Sequence, residues 1–371
     1  MFAHAPALDG LRGVAILLVL LHHFTIVEPQ TEVGRAIAQV AYFGWSGVDL
    51  FFVLSGFLIT GILVDARGSR RYFSSFYARR TLRIFPLYYL IVFLSLVVLP
   101  LFPRLYDLLA GRGAPREQLA YWLYLTNFAI AEREVFTHGI LDVAWSLAIE
   151  EQFYLVWAVV VWLCPLRALA PLCAGLVLAI TAARGWALDR GAAPIDAYVL
   201  PHLRADGLAF GALVACAWRL GWLEGQGYAA LVIAAVAALG TAWISWIDGE
   251  GWWWGPTIQR AGYSLLALAA AASVAAAVTL APTHWWPRLL SIEWLRTFGK
   301  YSYCLYLIHL PVIRLLRAYV FDPEEYTSLD TAWAAQSLFY VIATVSSLGV
   351  AWVSWRAFEA PILRLKTRFP Y

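Results

Sequence analysis

The sequence predicts an all-α polytopic membrane protein of about ten transmembrane helices, with N- and C-termini on the cytoplasmic side. Three observations lead there. Of 371 residues, 62% are hydrophobic and 14% are charged, against about 25% charged in soluble domains. Mean hydropathy is +0.68. Apolar windows of roughly 20 residues, the length of helix that crosses a bilayer, recur along the whole chain.

Ten windows fall at residues 12–28, 46–64, 85–103, 143–163, 171–187, 204–220, 228–246, 260–281, 300–320 and 333–355. The loops orient them, because cytoplasmic loops collect Lys and Arg. Loop 65–84 carries Arg67, Arg70, Arg71, Arg79, Arg80 and Arg83 against Asp65. The tail carries Arg356, Arg364, Lys366 and Arg368 against Glu359, whereas loop 321–332 holds Asp322, Glu324, Glu325 and Asp330 without a base. Ten spans with both ends inside satisfy all three. Segment 117–132 is apolar but short, and an eleventh span would put the tail outside. It is expected as a re-entrant or interfacial helix on the outer side, under cover of protein or beside a watery cavity.

Other features fit the same class. The apolar start follows a charged segment, yet no small-residue cleavage pattern closes it, so it reads as a retained first span. The 19 tryptophans suit interfacial anchoring, as in the loop from Asp248 to Trp254. The four cysteines sit in or beside apolar stretches without a CxxC pair, and they read as small buried hydrophobes, with neither disulfide nor metal implied. The basic residues form no soluble basic face, which excludes nucleic acid as a partner.

Against this apolar background, ionisable residues inside helices are costly and mark function or pairing. In LDGLRGVAILLVLLHHF, Arg12 and His23 are 11 residues apart. At 100° per residue they return to within roughly 20° of one face, about 16 Å apart along the axis, while His22 falls about 80° away. A snorkelling arginine and an interfacial histidine are the plainer reading. In WSGVDLFFVLSGFLIT, Asp49 can orient a histidine or pair with an arginine. Ser55 is a polar group there, and Gly47 and Gly56 admit a close neighbour. In YARRTLRIFPLYYL, Arg80 and Arg83 are i, i+3 and point the same way, ahead of an I-x-P stop. Guanidinium groups so clustered grip phosphate oxygens, or they serve as ordinary membrane anchors.

In AWSLAIEEQFYLVW, Glu150 and Tyr154 share a face. That carboxylate can hold an imidazole, position a hydroxyl or meet an arginine. Arg204 and Asp206 are candidates for a polar cluster, and His309 places a second imidazole in an apolar helix.

In this order the motifs LDGLRGVAILLVLLHHF, GVDLFFVLSGFLIT, RRTLRIFPLYY, WSLAIEEQFYLVW, RADGLAFGA and YSYCLYLIHLPV resemble acyltransferase family 3, the integral membrane O-acyltransferases, from Leu8 to about Pro361. The resemblance implies a single transmembrane acyltransferase domain over residues 1–371, in the stand-alone form without a C-terminal extracytoplasmic domain. It also implies the bacterial inner (cytoplasmic) membrane. The family's arginine and histidine fall on Arg12 and His23, its R-x-x-R on Arg80 and Arg83, and its W-S-L-x-x-E on Trp145, Ser146 and Glu150. An acyl group, acetyl first, would pass from acyl-CoA to a hydroxyl of a glycan, a lipid-linked sugar, a lipid or a small acceptor.

The expected chemistry is attack of that hydroxyl on a thioester, with His23 as general base. Glu150 or Asp49 would hold its other nitrogen, and Arg12, Arg80 and Arg83 would bind donor phosphates. Ser55, Trp145, Ser146, Tyr154 and His309 are expected to contact substrate, and no metal is called for. The rival reading is a transporter or flippase of a lipid-linked sugar, which also buries ionisable groups.

Overall fold

The computed structural model describes residues 5–26, 38–110, 117–136, 138–249, 253–326 and 329–370. Among them are ten helices of 14 residues or more: α1 Pro6–Phe24, α2 Gly47–Ala66, α3 Tyr72–Phe93, α4 Ala144–Leu163, α5 Leu166–Asp189, α6 Asp206–Arg219, α7 Gly227–Asp248, α8 Tyr263–Thr279, α9 Glu293–Tyr319 and α10 Leu329–Ser354. Eight stretches are long and apolar enough to cross a membrane: Pro6–Phe24, Ala38–Ala66, Tyr72–Leu101, Gly139–Leu163, Leu166–Asp189, Gly227–Asp248, Ile258–Thr279 and Ala332–Arg368.

The two remaining helices lie where spans are expected but differ for physical reasons. Helix α6 has only 14 residues, so it stops short of a bilayer's thickness. Helix α9 has 27 residues but carries Glu293, Arg296, Lys300, His309, Arg314 and Arg317. It tolerates them by packing against α1 and α10, which keeps much of its polar side away from lipid.

Helix α2 is the hub, packed against α1, α4, α6 and α8. In Ala38–Ala66, 72% of the most apolar window is buried, against 22% in Leu166–Asp189, Gly227–Asp248 and Ala332–Arg368. The latter three form the rim, and their exposed Leu178, Val232, Leu239, Val341 and Val345 give them a lipid-facing surface. Left-handed Gly249, at φ 89°, closes α7.

Small residues set how near the central helices come. A Cβ on Gly56 would lie 2.0 Å from the Leu208 carbonyl oxygen, and one on Gly211 would lie 2.0 Å from that of Val53. These glycines join α2 to α6 backbone to backbone. A Cβ on Gly13 would meet the Leu295 carbonyl oxygen at 2.0 Å, and one on Gly299 would meet that of Asp9 at 1.9 Å. Helices α1 and α9 therefore touch along the stretch that carries Arg12. Gly299→Val should wedge them apart and destabilise the protein by about 1–3 kcal/mol, read as a lower unfolding midpoint in detergent. An unchanged midpoint would show that the contact is not tight.

Two local expectations are revised. The basic loop is shorter than expected because α3 starts at Tyr72, and Arg80 and Arg83 are helical, as their spacing predicts. Pro86 does not stop that helix, which runs on to Phe93. Proline removes one backbone donor, and neighbouring helices can accommodate the break inside a membrane protein. Segment 117–132 forms two short helices, Gln118–Trp122 and Thr126–Arg133, too short to span. Between them Tyr124 takes φ 54°, held by a 2.8 Å hydrogen bond from the Gln152 amide to its carbonyl and by stacking on Tyr88 at 4.2 Å. In the acidic loop after α9, Asp322 and Glu324 both accept from Arg317, at 3.0 and 2.5 Å.

Candidate active site

Two arginines are neutralised by the fold itself. Arg204 donates to both oxygens of Asp49, at 2.5 and 2.9 Å, with both side chains fully buried. Its guanidinium stacks 4.1 Å from the Tyr263 ring centre. Arg184 donates to Asp206 at 3.0 Å, to the Leu203 and Gln259 carbonyls at 2.7 Å and to Ser264 at 2.7 Å. Arg204 and Asp206 thus do join a polar cluster, and Asp49 is given to Arg204. Such a network anchors helices, because either charge left alone in the interior would be costly.

The arginines of α1 and α3 are different. Arg12, Arg80 and Arg83 line one inner chamber of about 90 Å³ with Ser55, Ser146, Glu150, Tyr154 and Tyr306. None of the three has an ion pair or hydrogen bond among the described residues, whereas Arg133, Arg184, Arg204, Arg219, Arg260 and Arg317 each pair with a carboxylate. Glu150 lines the same chamber but makes no ion pair with them among the described residues: it accepts from the Tyr154 hydroxyl at 3.0 Å. That hydroxyl also bonds Ser55, and Arg80 sits 5.5 Å over the Tyr154 ring. The chamber is a cationic cup with a hydroxyl-rich wall, suited to an anion with a polar extension.

Beyond it lies an outer cavity of about 260 Å³, lined by His22, His23, Trp45, Phe136, Asp142, Trp145, Tyr198, Trp253, Tyr306 and Arg314. The chamber and this cavity share Val48 and Tyr306. The Tyr306 hydroxyl bonds Ser146 at 2.7 Å, which fixes its ring in the partition. Trp145 faces the outer side and Ser146 the inner, so one turn of α4 contributes to both.

His23 lies at the end of α1, where its Nδ1 meets the Val19 carbonyl at 2.9 Å. A carbonyl only accepts, so Nδ1 carries the hydrogen, and in the neutral ring Nε2 keeps its lone pair. Neither Glu150 nor Asp49 holds this imidazole: the first belongs to the inner chamber, the second to Arg204, and the backbone of the same helix supplies the partner. His22 also reaches the outer cavity despite its angular offset, because the cavity is broad, and its Nδ1 meets the Tyr42 carbonyl at 2.7 Å. What separates the two is His309, whose ring centre is 4.7 Å from that of His23. His309 is fully buried behind His23 and lines neither cavity. Its Nδ1 meets the Leu305 carbonyl at 3.1 Å, and its Nε2 has no partner.

Sequence reasoning named Trp145 but passed over Tyr306 and the other aromatic rings of the outer cavity, Trp45, Phe136, Tyr198 and Trp253. Tyr303, Tyr306 and His309 recur every three residues on α9, which is a legible signal for a shared face. Trp45, Tyr198 and Trp253 come from three distant segments, and no local pattern connects them.

Comparison with known proteins now bears on this arrangement. A family model described as an acyltransferase domain matches residues 6–356. The chain belongs to acyltransferase family 3. Among curated relatives of this acyltransferase-3 chain, YrhL of Bacillus subtilis, provisionally named a peptidoglycan O-acetyltransferase, is 31% identical over 84% of the chain and 49% of its own length. The peptidoglycan O-acetyltransferase OatA of Listeria monocytogenes is 27% identical over 97% of the chain and 56% of its length. The O-acetyltransferase OatA of Staphylococcus aureus is 27% identical over 97% and 57%. The chain spans about half the length of these relatives. No solved structure matches it.

Proposed function

We propose that this acyltransferase-3 chain is a membrane O-acetyltransferase. It takes an acetyl group from acyl-CoA at the cytoplasmic face and transfers it to a hydroxyl of an envelope glycan at the outer face of a bacterial inner membrane. In this reading the end bearing Arg12 faces inward, in keeping with its positive charge. One observation carries the proposal: three guanidinium groups without carboxylate partners stand on one side of the Tyr306 partition, and an imidazole with a free Nε2 stands on the other.

The steps follow from those positions. Arg12, Arg80 and Arg83 hold donor phosphates, and the thioester end reaches toward Tyr306. The sugar packs its C–H faces on the outer aromatic rings and presents a hydroxyl to His23. Nε2 removes the hydroxyl proton as oxygen attacks the thioester carbonyl, and it returns that proton to sulfur as the carbon–sulfur bond breaks, so that the ester forms and CoA leaves as the thiol. General-base help of this kind gives about 10²–10⁴-fold. A covalent acyl-histidine is the variant route, distinguished by single-turnover trapping. The relatives named for peptidoglycan O-acetylation support a glycan acceptor.

The deciding assay uses the purified chain in vesicles, with acetyl-CoA and a soluble muropeptide or oligosaccharide. CoA thiol should appear only when the acceptor is present. A carrier of lipid-linked sugar would release none, and that result would overturn the proposal. Replacing Arg80 and Arg83 together with Gln should raise the donor KM by about tenfold or more, from loss of charged hydrogen bonds, with acceptor KM unchanged. An effect confined to the acceptor would remove these residues from phosphate binding.

A further inference from the structure

The inner chamber adjoins a wider mouth of about 610 Å³, and Arg12 and Arg83 line both. The mouth is completed by α9, which contributes Arg296 and Lys300. They are four residues apart, on one side of the helix. Neither makes an ion pair among the described residues, and the buried Nε of Arg296 has no hydrogen-bond partner. The Lys300 ammonium rests 5.1 Å from the ring centres of Tyr301 and Trp355, a contact that positions it without consuming its donors. Four basic side chains (Arg12, Arg83, Arg296, Lys300) face two acidic ones, Asp9 and Glu293. Neither acid pairs with Arg296 or Lys300 among the described residues.

Arg296 and Lys300 are not used by the chemistry above. Arg12, Arg80 and Arg83 suffice for a diphosphate. Arg296 and Lys300 lie farther from the Tyr306 partition, beyond the groups that touch the reacting atoms. A phosphomonoester carries about −1.5 to −2 at neutral pH and three acceptor oxygens, enough to meet two neighbouring cations; a single diester oxygen is not. We propose that Arg296 and Lys300 form a second anion subsite that binds a phosphomonoester at the far, nucleotide end of the donor. This rests on the reading that the donor is acyl-CoA, whose ribose bears such a phosphate beyond the diphosphate. The subsite gives the protein a means of telling CoA from carriers that lack the monoester. An anionic lipid headgroup presents related phosphate chemistry, so the test separates the two sources.

The test measures calorimetric binding of CoA and of dephospho-CoA to the full chain in phosphatidylcholine nanodiscs. The wild type should bind CoA about tenfold to a hundredfold more tightly than dephospho-CoA, the range expected for charged hydrogen bonds. Arg296→Gln combined with Lys300→Gln should lower CoA affinity to the dephospho-CoA value and leave dephospho-CoA binding intact, which also shows that the variant is folded. Arg296→Lys should keep part of the preference. Equal wild-type affinities for the two ligands, or a variant that weakens both alike, would overturn the subsite while leaving the donor reading in place. Failure of both ligands to bind the wild type would overturn the donor reading and the subsite with it. If the double variant changes only binding to vesicles containing phosphatidic acid, the site belongs to lipid and the proposal falls.

Discussion

His23→Ala should abolish acyl transfer, by about 10²–10⁴-fold at least, while the protein still inserts and purifies normally. The imidazole faces a cavity, and its one hydrogen bond is to the Val19 carbonyl of its own helix. Removing it therefore opens no large core void and strands no buried charge. His22→Ala is the control. It lines the same cavity, so some loss through acceptor binding is expected, but turnover at saturating acceptor should survive. His309 packs against the His23 ring, with ring centres 4.7 Å apart, and confines it. The measurement is CoA-thiol release with each variant in vesicles. A dead His22→Ala beside an active His23→Ala would transfer the base to the other imidazole.

Asp49→Asn should have the largest effect on stability, about 3–5 kcal/mol, because it leaves the Arg204 guanidinium charged and buried without its partner. Both side chains are fully buried, and the pair ties α2 to the segment that begins α6. Joint replacement, Asp49→Leu with Arg204→Met, should recover much of the loss, since a well-packed apolar pair can substitute for a buried ion pair. Unfolding midpoints in detergent would check both. If Asp49→Asn kept its midpoint yet lost transfer, the carboxylate would return to the chemistry from which its pairing with Arg204 now removes it.

Much of the site was legible in the chain because helices convert spacing into facing. Arg80 and Arg83, three apart, do line one chamber, and Glu150 and Tyr154, four apart, do share a hydrogen bond. Ten apolar windows anticipated the ten long helices, although one is short and another is polar. The same periodicity could not say what a polar residue meets. Asp49 was open to histidine or arginine, and a residue 155 positions away settled it. His22 was turned from the face by angle alone, yet cavity width brought it back. Pro86 read as a stop because its ring disfavours a helix interior in water, where no neighbour shelters the broken hydrogen bond.

Membrane class and the short-range faces of α1, α3 and α4 come from the sequence alone, since hydropathy and a 3.6-residue turn are properties of adjacent residues. Which charges cancel and which stay available was decided by tertiary structure. Arg12 and Arg204 are the same side chain in apolar segments, each with an aspartate two or three residues away, so the local sequence does not say which of them pairs. Packing brought a carboxylate into an ion pair with Arg204 and left Arg12 without one among the described residues, and a guanidinium without an ion pair beside a cavity is what turns a charge into a binding group.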